Sequence, residues 1–296
     1  MALQRLPQRG PFCTPIRGPV PTPIDTINTN ASSLLALRTL NGIGKNLDVT
    51  QNRVSTGLRV SGALDDASTF SIAQGIRGEL KAIGAVTQGL NNAKGIGKVA
   101  IAGATAVSDL MQNVRSKLTE LSNEGITTSQ REILTNDFDK LMEQAANFID
   151  NATFNGVNLL DTGTVSTDID TLSNLTGGTL TLSAADLRTT IDGLTNATLG
   201  TAADAQSILG TEFSALESSV NSALGSLGAE VRAFDLQTSF LEQISDATEE
   251  GLGNLVDADL ARESARLSSL QVQQQLGMQA FSIANQRPSM LLGMFR

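Results

Sequence analysis

The distribution of proline constrains this chain more than any other feature. Six of its seven prolines fall within Met1–Pro23, the seventh is Pro288, and residues 24–287 contain none. At average usage near 5%, about 13 would be expected in that stretch. Proline is excluded from helix interiors because it removes a backbone donor and its ring strikes the preceding turn. The pattern predicts a mainly α fold built from long helices.

Periodicity divides the proline-free region. Residues 1–23 have basic Arg5, Arg9 and Arg17, no acid and no apolar period. They read as a Pro/Arg-rich extension or an upstream-annotated start, and Cys13 lies within it. Over 24–56 a helical pattern builds, with one apolar stripe from about Asn28 to Thr56 in which Leu40, Leu47 and Val54 fall seven apart. Gly57, Leu58 and Arg59 open a Gly/Ser-rich connector over 57–65.

Helical spacing resumes over about 66–123. A continuous helix there would be about 87 Å long at 1.5 Å per residue. Its many glycines argue either for breaks or for close helix contact. Ser129 and Glu132 fit a capping box. Behind them, Leu134, Phe138, Leu141, Ala145 and Phe148 form a narrow seam ending near Asp150.

Asn155-Gly156 between apolar residues is a hairpin signal, and completes a 66–160 bundle segment. Residues 161–202 are rich in Thr, Ser, Asp and Gly, and read as a short variable outer segment. Thr179–Ser183 alternates like a strand. A helix over 203–250 is punctuated by Gly251 and Gly253. A last segment, 251–296, carries Leu260, Leu267 and Phe281 in heptad spacing, with Leu270 and Met278 near the same face. Pro288 is expected to end its helix.

The predicted fold is a long antiparallel bundle or coiled coil with paired N- and C-terminal helices and a small β-hairpin region in the middle. Narrow stripes cannot bury themselves, so the chain folds back at its middle and the outer stripes pair. Leu40, Leu47, Val54, Leu260, Leu267, Leu270 and Phe281 are the expected assembly contacts. The apolar surface left over points to self-assembly.

Composition narrows the function. The chain has no His, no Trp, no Tyr and a single Cys. Histidine-dependent acid–base catalysis, Ser-His-Asp triads and His or Cys₄ metal sites are therefore excluded within one chain. A net charge of −9 opposes broad nucleic-acid binding. No run approaches the roughly 20 apolar residues of a membrane span, and prolines interrupt the place where a signal peptide would need its apolar core. No catalytic residue, cofactor site or metal site is assigned. Asp65-Asp66 reads as a helix start rather than a carboxylate pair. Gly95-x-Gly97 lacks a preceding strand and is no nucleotide loop. Gln271, Gln273, Gln274 and Gln275 read as polar helix surface.

Four pieces, taken together, resemble bacterial flagellins. They are Ile27-Asn28-Thr29-Asn30, Ser55-Thr56-Gly57-Leu58-Arg59-Val60 with Ala63, Asp65, Asp66 and Ala67, Phe154-Asn155-Gly156-Val157-Asn158-Leu159-Leu160, and Ala284-Asn285-Gln286 with Pro288, Leu291 and Leu292. They lie in the family's order across residues 24–296, and residues 1–23 have no counterpart.

The resemblance implies a motility protein: an extracellular subunit polymerising into the flagellar filament. In the family the paired termini form the inner tube and the middle segment faces outward. It also implies export without a cleaved signal peptide, and as partners the export apparatus, an export chaperone, and cap and hook-junction proteins. The segment that toll-like receptor five reads in this family falls near Gln112–Thr119. Only Gln112, Val114 and Arg115 match, which implies weak recognition. Two alternatives remain: a hook–filament junction protein, or a flagellin-derived cell-surface ligand-binding protein.

Overall fold

The computed structural model describes residues 30–161, 163 and 167–293, with side chains described through residue 286. The predicted extension over 1–23, including Cys13, lies outside the described residues. In chain order the elements are α1 (Ala31–Thr56), α2 (Ala67–Leu121), α3 (Thr128–Asn151), β1 (Thr153–Phe154), β2 (Val157–Asn158), β3 (Ile169–Leu172), β4 (Thr179–Leu182), α4 (Arg188–Thr195), α5 (Ala202–Gly210), α6 (Glu212–Val256) and α7 (Leu260–Gly293). They form two compact units. One holds the described residues up to Asp65 and those from Val256 on, and the other holds Asp66–Leu255.

In the larger unit, α2 runs unbroken for 55 residues. Asp66 starts it, its carboxylate accepting from the amides of Ser68 (3.0 Å) and Thr69 (3.2 Å). These bonds satisfy amides that the first helical turn leaves without partners. The glycines of α2 do not break it, and two of them are close-approach points. A Cβ on Gly97 would sit 2.6 Å from Val231 Cγ2, and one on Gly103 would sit 2.7 Å from Ala152 Cβ.

Helix α3 is capped two residues earlier than predicted. Thr127 and Gln130, not Ser129 and Glu132, form the capping box: Gln130 N donates to Thr127 Oγ1 (3.3 Å) and Thr127 N donates to Gln130 Oε1 (2.9 Å). The preceding Ile126 packs against the core, which anchors the chain at that point. Asn155 (φ 52°) and Gly156 (φ 80°) then turn β1 into β2. Positive φ at both central residues is what a two-residue hairpin turn of this hand requires.

Residues 161–202 hold the expected strand, as β3 and β4, but also a helix and a buried face that their polar composition did not suggest. They contain α4, and Leu182, Leu187, Ile191 and Leu194 are at most 1% exposed. Strand β4 pairs with β3 from Thr179↔Leu172 to Leu182↔Ile169. Glu230 on α6 clamps the end of β4, accepting from Ser183 N (2.9 Å) and Ser183 Oγ (2.7 Å). Gln237 donates to Ser173 O at 2.6 Å. The alternating Leu180 and Leu182 had a core to face, but nothing local to the segment reveals that α2 and α6 supply it.

The predicted 203–250 helix is also corrected. It divides at Thr211 into α5 and α6, and α6 continues through Gly251 and Gly253 to Val256. Glycine lowers helix propensity without forbidding a helix. The stop at Val256 comes from elsewhere in the chain: its carbonyl accepts from Arg59 N (2.7 Å) and Val60 N (3.3 Å).

In the smaller unit, α1 and α7 lie antiparallel. Pro288 does not end α7, which continues to Gly293. Proline at 288 leaves the carbonyl of residue 284 without its helical donor. Asn30 Nδ2 donates to Ala284 O at 2.7 Å and fills that place.

Candidate functional site

The α1–α7 seam is the feature from which a function can be read. Its α1 side consists of Ala36, Leu40, Ile43, Leu47, Thr50 and Val54, half-buried or buried at alternating spacings of four and three. Its α7 side consists of Glu263, Leu267, Leu270, Gln274, Gly277, Phe281 and Ala284, again at fours and threes. This is the 3.5-residue repeat of a coiled coil. Gly277 is the hole for the α1 knobs: a Cβ there would lie 3.3 Å from Leu40 Cδ1 and 3.7 Å from Ile43 Cδ1.

Six of the seven expected contact residues therefore share this seam. Leu260 does not; it is 49% exposed. It occupies the first position of α7, where the facing helix has already ended. At that level Ala258 N donates to Gly57 O at 2.8 Å and Leu58 bridges Asp257. Met278 is likewise off the seam and exposed. One residue of misplacement moves a side chain about 100° around a helix, and a seven-residue count alone does not distinguish its flanks.

The connector carries its own locks. Gly57 takes φ 72° and donates to Arg53 O, so it caps α1 in a left-handed conformation that glycine adopts without a Cβ penalty. Asp65 accepts from Ser61 N (3.0 Å), Ser61 Oγ (2.8 Å) and Gly62 N (3.1 Å). The Ser61 hydroxyl and the two amides hold its carboxyl below the usual carboxylate range. Asp65 and Asp66 serve two different turns and do not form a carboxylate pair.

One charged layer interrupts the seam, and sequence reasoning missed it. Arg53 Nη1 donates to Glu263 Oε1 at 3.3 Å, with Glu263 only 8% exposed. Arg53 Nε and Glu263 Oε2 are buried with no hydrogen-bond partner among the described residues. Arg53 sits in the last turn of α1 and Glu263 in the first of α7, so both charges suit their helix dipoles. Glu263 occupies a seam position of α7 while Arg53 flanks Val54 on α1, so the heptad period alone does not pair them.

The second finding is what the seam leaves uncovered. Leu34, Leu35 and Val49 on α1, and Val272, Leu276 and Ile283 on α7, are each 42–66% exposed. Clustered exposed apolar side chains mark contact surfaces. In the larger unit, Arg115 lies 5.2 Å above the Phe213 ring and pairs with Glu217. Among the described residues no cluster of three metal-ligating side chains occurs, and no helix is long and apolar enough to cross a membrane.

These features define a class: a helical-bundle subunit whose two ends return to form an antiparallel coiled coil with further apolar faces outside it. Residues 27–164 match the bacterial flagellin N-terminal helical region, and residues 211–295 match the C-terminal helical region. Flagellin FljK of Caulobacter vibrioides is 37% identical over 274 residues, covering 92% of this chain and 99% of that protein. A flagellin of Brucella melitensis is 35% identical over 281 residues, covering 92% and 99%. Flagellin C of Rhizobium meliloti is 29% identical over 325 residues, with the same coverage. The chain belongs to the bacterial flagellin family, a family of structural proteins. It is a structural subunit of the flagellar filament.

Proposed function

We propose that this chain assembles through its terminal helices: the α1–α7 seam gives each subunit a two-helix rod, and the exposed stripes beside it meet other copies. The observation that carries this reading is a paired α1–α7 seam flanked by large apolar side chains left 42–66% exposed on the same two helices. Apolar surface on a two-helix rod is lowered in free energy by burial at about 25 cal/mol per Å². Additional copies supply that burial, and ordering of the termini is then coupled to polymerisation. Export precedes assembly and uses no cleaved signal peptide. The export apparatus, an export chaperone, and cap and hook-junction proteins are the partners that serve this route.

Seeded polymerisation followed by electron microscopy tests the reading. Leu267→Asp places a charge in the seam and is expected to abolish elongation, and Leu35→Asp, on the outer stripe, is expected to do the same while α1 and α7 stay paired. Normal filaments from both variants would refute the assignment. Recognition by toll-like receptor five is expected to be weak. Val114 is buried, and Arg115, though exposed, lies over the Phe213 ring and pairs with Glu217, so one matching side chain is out of reach and a second already has partners within the subunit. A strong reporter response would overturn that expectation.

A further inference from the structure

The segment between the two family-matched stretches builds one wall of a groove against α2, and α6 carries an exposed ridge of similar length. The groove has a volume of about 670 Å³ and lies between α2 and the β3–β4 hairpin. Its floor is made of small residues one turn apart, Ala82, Ala85 and Gly89, and its far wall carries Leu172 and Leu175. Those two leucines are 50% and 46% exposed. Thr171 Cγ2 closes the floor, 3.6 Å from where a Gly89 Cβ would stand. Asp170, whose carboxylate accepts from Thr181 Oγ1 at 2.6 Å, puts a negative charge on the lining.

The ridge consists of Arg232, Leu236 and Phe240, spaced four apart on one face of α6. Leu236 is 74% exposed and Phe240 is 54% exposed. At 100° per residue this face points away from the buried face of Phe234, Thr238 and Leu241. It therefore faces away from its own unit's core. Its length is about 12 Å, against about 10 Å for the run from Ala82 to Gly89. Apolar anchors at i and i+4 are the pattern of a helix laid in a groove. Arg232 offers the charge that Asp170 complements.

We propose that the α2/β3–β4 groove of one subunit receives the Arg232–Leu236–Phe240 ridge of a second copy of this chain. The inference rests on the filament reading and deepens it. Groove and ridge are different surfaces of one chain, so the contact is heterologous and propagates rather than closing a dimer. It gives residues 169–182, which lie outside both family-matched stretches, a part in joining subunits.

The test uses the full chain carrying Cys13→Ser, grown on sonicated filament seeds. Leu175→Cys chains mixed with Phe240→Cys chains are expected to give disulfide-linked dimers on oxidation, and neither chain alone should. Phe240→Asp and Ala85→Arg should each slow elongation by about tenfold or more, with monomer circular dichroism unchanged because both positions are exposed. Arg232→Glu should slow it as well, and adding Asp170→Lys should restore it. Cross-linking absent, with both the Phe240 and Ala85 variants elongating within about twofold of the parent, would overturn the groove proposal and leave the filament reading intact. A parent chain that fails to elongate on active seeds would overturn both.

Discussion

Adding one methyl group at Gly103 should have the opposite effect to adding it at Gly75, although both glycines lie inside α2. A Cβ at Gly75 meets nothing within 4 Å. Gly75→Ala therefore gains the helix-propensity difference of about 1 kcal/mol. At Gly103 the new Cβ would stand 2.7 Å from Ala152 Cβ, 3.0 Å from Leu160 Cδ1 and 3.6 Å from Phe148 O. Ala152 cannot step aside by rotating a side chain. It moves only with the backbone joining α3 to β1, and its amide is bonded to Ile149 O.

Overpacking of this kind costs about 1–3 kcal/mol, which offsets or exceeds the propensity gain. Gly103→Ala is then expected to lie about 1–3 kcal/mol below Gly75→Ala in stability. For a unit of this size each kcal/mol moves the midpoint by about 2–4 °C. Thermal melts of the monomer, followed at 222 nm at one scan rate, read the difference directly. A Gly103→Ala midpoint equal to or above that of Gly75→Ala would show that α2 and α3 do not touch through the glycine, and the close-contact argument would fail.

Three further outcomes are expected. Arg53→Met leaves Glu263 buried without its partner and should destabilise the seam by about 3 kcal/mol; the double change Arg53→Met with Glu263→Leu should recover most of that, as read by hydrogen exchange of α1 amides. Asn155→Ala forces a Cβ-bearing residue without a compensating side chain into positive φ, and should cost about 1 kcal/mol in denaturant unfolding, while Asn155→Gly should be nearly neutral. Asp65 titrates below the usual carboxylate range in the folded chain, so its contribution is present above the unfolded carboxyl's pKa and disappears as pH falls through the lower folded value. Exchange protection of the Ser61 and Gly62 amides should follow that profile in the parent and be absent at every pH in Asp65→Ala.

How much of this was legible depended on where each signal was stored. The absence of proline and the heptad spacing of Leu40, Leu47 and Val54 are local, and they specify α1 and its seam unaided. Asn155-Gly156 specifies its turn because few other residues tolerate both dihedrals. Three of the departures share a physical cause, which is that the deciding partner is distant in sequence. α6 passes Gly251 and Gly253 and stops only where Arg59 and Val60 take the Val256 carbonyl. α7 passes Pro288 because Asn30 replaces the missing donor. The polar composition of residues 161–202 suggested exposure, yet Leu182 and Ile191 are fully buried through elements that no local window contains. On α1 and α7, period located the seam, but the Arg53–Glu263 layer required knowing that two residues 210 apart face each other.

The backbone clasp between the connector and the end of α6 also sets an order of events. Without it, bringing α1 to α7 closes a loop spanning the whole larger unit. Once Arg59, Val60 and Ala258 have made their bonds to Val256 and Gly57, the two helices begin side by side and the effective loop shrinks to a few residues. With loop entropy growing as about (3/2)RT ln n, shortening a loop from about 200 residues to about 4 relieves about 3.5 kcal/mol. Pairing then proceeds as a zipper from the clasped end outward, and its far end, at Asn30 and Ala284, closes last. Because the clasp is made of main-chain amides and carbonyls, the starting point of the zipper is fixed by backbone geometry rather than by any side-chain hydrogen bond.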